Sequence, residues 1–333
     1  MEPNLNSPTA KNLIPENARQ YRLSILLVTY NHERYIEKAL KSIFGQVIEG
    51  PIELVIADDG SLDRTLAIVK NYEDKDHRFE FKYLSNKSNL GITKNYQRGF
   101  AACNGHYVAI LEGDDYWSNT MKIQRQVEFL DTHWECDLCA VNYFIYEEKL
   151  ARFTPRTFIS NVYRLIGARE LISDNLVGNF STCMYRKHAL DALPQDIYSI
   201  KSYDWIVNIC VAQHSLIGFL AEPMSVYRLH ADAVWSQKSS VEKLKEQLDF
   251  IPSYDEMTNY IFQSDFKMLA NRLEQNIKIL QSKGMILKSI PLLKRVVKNL
   301  SDYMPPILLS FFRALVPAKL KRVLISILHG GIE

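Results

Sequence analysis

Asp114 and Asp115 are adjacent carboxylates that could bind a cation. They belong to the acidic run Glu112-Gly113-Asp114-Asp115. Two adjacent carboxylates are costly to bury unless a cation or hydrogen-bond donors face them. A hard divalent ion such as Mg²⁺ or Mn²⁺ takes a few carboxylates together with phosphate oxygens, so this pair could hold a metal-bound diphosphate. The alternative is a solvated turn in which Asp115 caps the helix that follows.

A second polar turn, Asp58-Asp59-Gly60-Ser61, has the residues that a strand-to-helix turn favours for backbone reasons alone. Ser61 is a suitable N-cap for the helix that follows it. A carboxylate in this turn could instead accept a hydrogen bond from a base N–H or a ribose hydroxyl. The turn by itself does not decide between the structural and the ligand-binding interpretation.

Alternating strand and helix patterns determine where these turns lie. A β-α-β series of this kind predicts an α/β fold with a mainly parallel sheet and helices on both faces. Ligands of such sheets bind beyond the carboxyl ends of the strands. Thr29-Tyr30-Asn31, Asp58-Asp59 and Asp114-Asp115 all follow strand ends, so we expect them to form one site. The strands are predicted over residues 23–29, 52–57, 79–84 and 107–111.

The bulk composition argues against several classes of protein. The chain has 333 residues and a net charge of only +2, so no strong field attracts nucleic acid. No apolar run reaches the roughly 18 residues of a membrane-spanning helix. Five cysteines without an export signal are expected to be reduced thiols in a cytoplasmic protein. Cys136 and Cys139 form a CxxC motif without a second ligand pair, so buried thiols are expected rather than a metal or redox site.

Four motifs in order resemble those of glycosyltransferase family 2, and the resemblance covers residues 22 to 235. Any one motif alone would be weak evidence, but the ordered set is specific. The resemblance implies an enzyme with the GT-A fold, which is a Rossmann-like α/β architecture. The motifs span residues 24–31, 58–61, 89–95 and 112–115.

The resemblance also implies a domain organisation. We expect a flexible arm over residues 1–20, a GT-A domain over 21–238 and a helical C-terminal extension over 239–333. Within the domain, residues 21–117 would form the nucleotide-binding half and residues 118–238 the acceptor half.

Five residues are expected to contact the donor, again by resemblance to the family. Tyr30 would stack near the base with Thr29 alongside, and Asp59 would bind the base. Lys94 stands where the family has a basic residue that meets the nucleotide, and Asp114 would contact the ribose. The implied donor is a nucleotide-diphosphate-sugar, with a UDP-sugar favoured.

Metal, base and acceptor residues follow from the same resemblance. Asp115 would hold Mg²⁺ or Mn²⁺, because the acidic run lacks an aspartate at the first position of the family's DxD motif. His230 would contact the metal or the diphosphate. Asp204 stands where the family places the general base, and its alternative role is a helix cap. Trp117 and Trp205 are candidates for contact with the acceptor sugar, although Trp117 could equally pack in the core.

The apolar segment 305–316 is followed by Lys319, Lys321 and Arg322 and is too short to span a bilayer. A basic, apolar helix of this kind can lie in the membrane interface. The alternative is a helix pair that packs on the domain. We favour the interface, because a lipid-linked acceptor would make a tether useful, and therefore expect a cytoplasmic protein at the cytoplasmic face of the membrane.

The combined prediction is an inverting glycosyltransferase that moves a sugar to a hydroxyl of a glycan or lipid-linked acceptor in cell-surface polysaccharide biosynthesis. A nucleotidyltransferase is one alternative, but it would carry a glycine-rich, basic phosphate loop, and residues 29–33 do not form one. A non-catalytic nucleotide-sugar-binding module is the other, and it would lack a base such as Asp204. No nucleic-acid partner is expected, and the donor sugar, linkage and oligomeric state are not specified.

Overall fold

The computed structural model describes residues 21–84, 88–200, 204–231 and 238–282. The predicted N-terminal arm and the apolar C-terminal tail lie outside these residues. In the described part of the chain, every helix is too short or too polar to cross a membrane.

The N-terminal half of the sheet is a parallel array of four strands. They are β1 (Leu23–Thr29), β2 (Ile52–Asp58), β3 (Phe79–Tyr83) and β4 (Tyr107–Glu112). Their order is β3-β2-β1-β4. All residues of β1 and β2 are buried, because helices cover both faces, and this explains their continuous apolar runs. The register pairs Thr29 with Asp58 and Val28 with Glu112, so the carboxyl ends of these strands are aligned.

Helices join these strands across both faces of the sheet. They are α1 (Ile36–Phe44), α2 (Thr65–Lys70), α3 (Ile92–Ala102) and, after β4, α4 (Lys122–Thr132). Helix α1 buries Ile36, Ala39, Leu40 and Ile43, which recur at helical spacing on one face. This amphipathic pattern is why the segment packs as a helix against the sheet.

The C-terminal half of the sheet mixes parallel and antiparallel pairs. Its strands are β5 (Tyr116–Trp117), β6 (Cys136–Glu147), β7 (Arg152–Pro155), β8 (Tyr163–Ile166), β9 (Cys183–Arg186) and β10 (Leu216–Leu229). Strand β9 is antiparallel to both β4 and β6, whereas β10 runs parallel to β6. The short strands β5 and β8 pair with β10, and β7 pairs with β6. This half continues the same sheet in the order β9-β6-β10-β5.

The remaining helices cover the second half of the sheet. They are α5 (Ala168–Ser173), α6 (Lys187–Asp191), α7 (Asp204–Ala212), α8 (Ser240–Met257) and a last helix over residues 263–282. Two apolar clusters lie on opposite faces of the sheet, since Leu26 belongs to one and its neighbours Ile25 and Leu27 belong to the other. The fold therefore has three layers, with the sheet between two layers of helices. The carboxyl ends of β1, β2 and β4 lie at one edge of the sheet.

Candidate active site

The ends of β1, β2 and β4 meet at one edge of the sheet, as their parallel register requires. The Asp59 N–H donates to the Thr29 carbonyl oxygen at 2.9 Å, and the Gly113 N–H donates to the Val28 carbonyl oxygen at 2.8 Å. The structure therefore brings the three predicted polar turns together.

Gly113 allows the acidic run to lie this close to the end of β1. A Cβ atom on Gly113 would lie 2.7 Å from Thr29 Oγ1 and 2.8 Å from His32 Nδ1. Both distances are well inside van der Waals contact, so a side chain here would push the two segments apart. Thr29 Oγ1 also lies 3.3 Å from His32 Nδ1. This contact orients the imidazole towards the acidic run.

Asp114 faces two histidines. Its Oδ2 atom lies 3.1 Å from His230 Nε2 and 3.8 Å from His32 Nε2. Burial opposes ionisation of Asp114, but the hydrogen bond with His230 and the electrostatic effect of both histidines outweigh it, so its pKa lies below the usual range. The Asp114 side chain is 22% exposed. Asp114 is thus an ionised carboxylate that a ligand can reach.

Asp115 has a different environment. It is 1% exposed, and both carboxylate oxygens accept hydrogen bonds. The Arg228 N–H donates to Oδ1 at 2.9 Å, and the Ser181 hydroxyl donates to Oδ2 at 2.7 Å. Burial and the negative charges of Asp114 and Glu112 raise the pKa of Asp115 well above the usual value. The geometry thus favours Asp114 over the predicted Asp115 as the carboxylate that meets a cation.

Glu112, to which the sequence assigned no role, lies on the other side of the run. The Tyr96 hydroxyl donates to its Oε1 at 2.7 Å. Burial and the charge of Asp114 raise the pKa of Glu112 to about 8. Glu112 therefore extends the acidic cluster inward, towards α3.

The residues predicted to bind the nucleotide differ in accessibility. Tyr30 is 40% exposed at the end of β1, which leaves its ring open to stack on a base. Asp59 is buried and accepts hydrogen bonds from the Leu90 and Gly91 N–H groups at 2.8 and 3.0 Å, so it holds the loop before α3. Lys94 is exposed on α3. The nucleotide-binding roles of Tyr30, Asp59 and Lys94 remain predictions.

Asp204 is the first residue of α7. Burial raises its pKa to about 6, although hydrogen bonds from the N–H groups of Trp205 and Asp204 and from the Asn175 side chain oppose that shift. The charge of Asp204 in turn contributes to the raised pKa of Glu112. The structure therefore places the predicted base within electrostatic reach of the acidic run.

The two tryptophans predicted to contact the acceptor are buried. The Trp117 Nε1–H donates to the Ser181 carbonyl oxygen at 2.9 Å, and the Trp205 Nε1–H donates to the Leu171 carbonyl oxygen at 2.8 Å. Both indoles lie in the apolar clusters, so neither ring offers an open face to a sugar. The structure favours a packing role for both.

All five cysteines are buried free thiols, as expected for Cys136 and Cys139. In the described residues, no group of three or more His, Cys, Asp and Glu side chains could hold a metal ion unaided. A metal at this edge would therefore take part of its ligand set from substrate or water.

Asp114 and His230 fit such a shared metal. Adjacent ligands of an octahedral ion, each about 2.1 Å from it, lie about 3 Å apart. Asp114 Oδ2 and His230 Nε2 are 3.1 Å apart and share a hydrogen bond, and a metal between them would replace that bond, with the imidazole proton on Nδ1. One carboxylate and one imidazole leave several positions for diphosphate and water oxygens, which is the ligand set that Mg²⁺ and Mn²⁺ accept.

Residues 24–193, more than half of the chain, match the family model described as Glycosyl transferase family 2. The chain belongs to glycosyltransferase family 2. The family predicted from the four motifs is confirmed.

Other proteins of known sequence are similar to this chain. An uncharacterized protein of Mycobacterium tuberculosis is 33% identical over 216 residues, which are 64% of this chain and 60% of that protein. The match therefore spans less than two thirds of the mycobacterial relative. TuaG of Bacillus subtilis, named for teichuronic acid biosynthesis, is 33% identical over 108 residues, or 32% of this chain and 41% of TuaG.

Solved structures confirm the fold. The structure of residues 1–349 of S. aureus TarS in complex with UDP-GlcNAc superposes with a TM-score of 0.55 at 21% identity, covering 71% of this chain and 70% of that chain. The mannosyltransferase PcManGT of Pyrobaculum calidifontis, in complex with GDP-Man and Mn²⁺, has a TM-score of 0.52 at 12% identity and 83% coverage of both chains. The predicted GT-A fold is thereby confirmed.

Three site residues were not identified from the sequence: His32, Ser181 and Arg228. His32 follows directly after the first strand motif, and this position at the ligand edge was an available signal. Ser181 and Arg228 reach Asp115 from 66 and 113 positions away in the chain, so no local pattern could show their contacts.

Proposed function

We propose that the protein is an inverting glycosyltransferase that moves a sugar from a nucleoside-diphosphate-sugar to a hydroxyl of a glycan or lipid-linked acceptor. The observation that carries this proposal is the meeting of the β1, β2 and β4 ends at one edge, where Asp114 Oδ2 lies 3.1 Å from His230 Nε2 and 3.8 Å from His32 Nε2. The pKa shifts of two carboxyl groups support it. The pKa of Asp114 is lowered beside two histidines, whereas burial raises the pKa of Asp204 to about 6. These shifts suit an Asp114 that stays charged and an Asp204 that takes up a proton.

The donor would bind at the edge formed by the carboxyl ends of β1, β2 and β4. Tyr30 would stack on the base, Asp59 would accept from it, and Thr29 and Lys94 would line the nucleotide. A UDP-sugar is the proposed donor, and the complex of TarS with UDP-GlcNAc supports a nucleotide-sugar on this fold.

Asp114 and His230 would hold a divalent cation, Mg²⁺ or Mn²⁺, together with the diphosphate. The geometry supports Asp114 in this role in place of Asp115, whose oxygens already accept two hydrogen bonds. The bound cation would offset the charge that develops on the departing diphosphate. The Mn²⁺ in the PcManGT complex is consistent with such a requirement.

Asp204 would act as the general base. Its carboxylate accepts the proton of the acceptor hydroxyl while that oxygen bonds to the anomeric carbon. The bond from the anomeric carbon to the diphosphate oxygen breaks on the opposite side, so the configuration inverts. A base with a pKa of about 6 is largely ionised at neutral pH and still able to take a proton.

The biological role would be the synthesis of a cell-surface polysaccharide. The name of TuaG supports this setting, because TuaG is named for teichuronic acid biosynthesis and is 33% identical to this chain over 108 residues. Contact of the C-terminal tail with the cytoplasmic face of a membrane is a further part of this proposal. It would keep the enzyme close to a lipid-linked acceptor.

A panel of nucleotide-sugars tests this proposal. The purified protein is incubated with Mn²⁺ and each UDP-, GDP- or other nucleotide-sugar, and the free nucleoside diphosphate is measured. Release of the nucleoside diphosphate from one donor, stimulated by acceptor, is expected. Release of pyrophosphate from a nucleoside triphosphate would instead indicate a nucleotidyltransferase, and tight binding without turnover would indicate a binding module.

A further inference from the structure

We propose that Asp115 and Ser181 are positioning residues that hold the end of β10 against the acidic run and so keep His230 beside Asp114. This inference rests on the proposed function, because it takes Asp114 and His230 as the metal–diphosphate site. It gives the second aspartate of the run a task other than metal binding.

The Asp115 carboxylate joins two parts of the chain. Its Oδ1 accepts the backbone N–H of Arg228 in β10, and its Oδ2 accepts the hydroxyl hydrogen of Ser181. A fully buried carboxyl group needs such hydrogen-bond partners, since polar atoms buried without them are unfavourable. The two hydrogen bonds therefore hold β10 at a fixed distance from the acidic run.

Ser181 is the centre of the second connection. Its Oγ also accepts the Glu112 N–H at 3.1 Å, so one hydroxyl contacts both ends of the acidic run. The Ser181 carbonyl oxygen accepts the Trp117 Nε1–H at 2.9 Å and the Ser225 hydroxyl at 3.3 Å. The Ser181 hydroxyl thereby joins both ends of the acidic run, whereas its carbonyl group contacts β5 and β10 without reaching that run.

His230 depends on this backbone anchor. Its Nδ1 atom is buried and has no hydrogen-bond partner in the described part of the chain. Histidine ligands usually obtain their orientation from a partner at the second ring nitrogen. Here the Tyr35 ring packs against the imidazole at 4.5 Å between centroids, and the backbone of β10 supplies the rest.

A second hydrogen bond acts in the same direction. The Arg228 Nε–H donates to the Asp114 carbonyl oxygen at 2.8 Å. The Arg228 guanidinium lies 4.9 Å from the Tyr35 ring and 5.5 Å from the Tyr116 ring, which limits its movement. Arg228 is thus bonded to both aspartates two residues before His230.

Substitutions at Asp115 distinguish positioning from metal binding. Asp115→Asn keeps an oxygen for the Arg228 N–H and an amide that can donate to Ser181 Oγ, whereas Asp115→Ala keeps neither. Calorimetry with Mn²⁺ and UDP as the probe measures binding without any turnover. We expect affinity close to wild type for Asp115→Asn and about 10-fold weaker binding for Asp115→Ala, as for other residues that orient metal ligands.

Ser181 has a matched control in Ser225. Ser181→Ala removes both hydroxyl contacts with the acidic run, and it should weaken Mn²⁺–UDP binding by about 10-fold. Ser225→Ala removes a buried hydroxyl that donates to the same carbonyl group, which keeps its bond from Trp117. Binding close to wild type is expected for Ser225→Ala, with a similar loss of melting temperature in both variants.

The outcomes separate this inference from the proposed function. If Asp114→Asn binds Mn²⁺–UDP with wild-type affinity, the proposed metal–diphosphate site itself is wrong. If Asp114→Asn loses binding and Asp115→Asn loses as much as Asp115→Ala, then Asp115 is a ligand and the positioning role is overturned. Equal affinities of Ser181→Ala and Ser225→Ala would overturn it as well, and this comparison decides the matter if Asp115→Ala does not fold.

Discussion

Three carboxyl groups of one four-residue run have three different partners. Asp114 faces histidines, Asp115 accepts a backbone N–H and a hydroxyl, and Glu112 accepts the phenol of Tyr96. The sequence predicted the cluster, because residue types and strand ends indicate an acidic edge. It could not assign the roles, because their partners belong to elements distant in the chain. The sequence predicted Asp115 as the metal ligand, whereas the geometry leads us to propose Asp114.

The pH dependence of turnover should follow the ionisation of a single residue, Asp204. A general base must be ionised to accept a proton, so kcat/KM should rise with pH through about 6, the value to which burial raises the pKa of Asp204. Asp204→Asn should lower kcat by a factor of about 100 or more, while donor binding persists. Rates measured from pH 5 to 8, with binding followed by calorimetry, check both statements. Retained turnover in Asp204→Asn would place the base elsewhere.

At the scale of elements, the strands of the first half of the fold were readable from the sequence, whereas several strands of the second half were not. Strand β1 and the predicted run agree at both ends, and β2, β3 and β4 differ by one residue, because fully buried parallel strands give continuous apolar runs. Strand β10 was not predicted. Its pattern is interrupted near Pro223, where its pairing with β6 shifts register. The short strands β5, β7 and β8 depend on pairing partners that no local pattern shows.

Helix α4 contains a buried lysine whose titration should affect stability. Lys122 is 0% exposed, donates to Gln126 Oε1 at 2.7 Å and lies 4.4 Å from the Trp117 ring centroid. Burial lowers its pKa from 10.5 to about 7. Between these two values the unfolded chain binds more protons than the folded one, so the free energy of unfolding should rise with pH.

A comparison with Lys122→Met isolates this contribution. Urea unfolding at pH 7.0 to 8.5 should show the wild type gaining stability relative to the variant, by at most about 1.4 kcal/mol per pH unit. Both chains contain the same cysteines and tyrosines, so the other titrations largely cancel in the difference. Parallel stability profiles for the two proteins would show that Lys122 does not titrate in this range.

At the scale of the whole molecule, family membership and the GT-A fold are established, whereas the attachment to a membrane remains a prediction. The division into a nucleotide-binding half, residues 21–117, and an acceptor half, residues 118–238, also remains a prediction, and the strands of both halves belong to one sheet. The predicted tether lies outside the described residues. It depends on an apolar segment followed by basic residues, a composition that suits the membrane interface.

Removal of the tail tests the tether. A chain that ends at Asp302 should bind vesicles containing anionic lipid much more weakly than the full chain, because Lys319, Lys321 and Arg322 are lost. Each basic residue near such a surface contributes about 1 kcal/mol, so high salt should also release the full chain. Co-sedimentation with vesicles measures the effect, and equal partition of both chains would contradict the tether.

The central claim is a metal-dependent nucleotide-sugar site built on Asp114. Mn²⁺-dependent release of nucleoside diphosphate from the donor found in the panel is therefore the decisive measurement, carried out on wild type, Asp114→Asn and a surface control, Asp196→Asn. Release should stop when EDTA is added to the wild type, fall by a factor of about 10 to 100 or more in Asp114→Asn, and stay unchanged in the control. Full metal-dependent release by Asp114→Asn would contradict the claim.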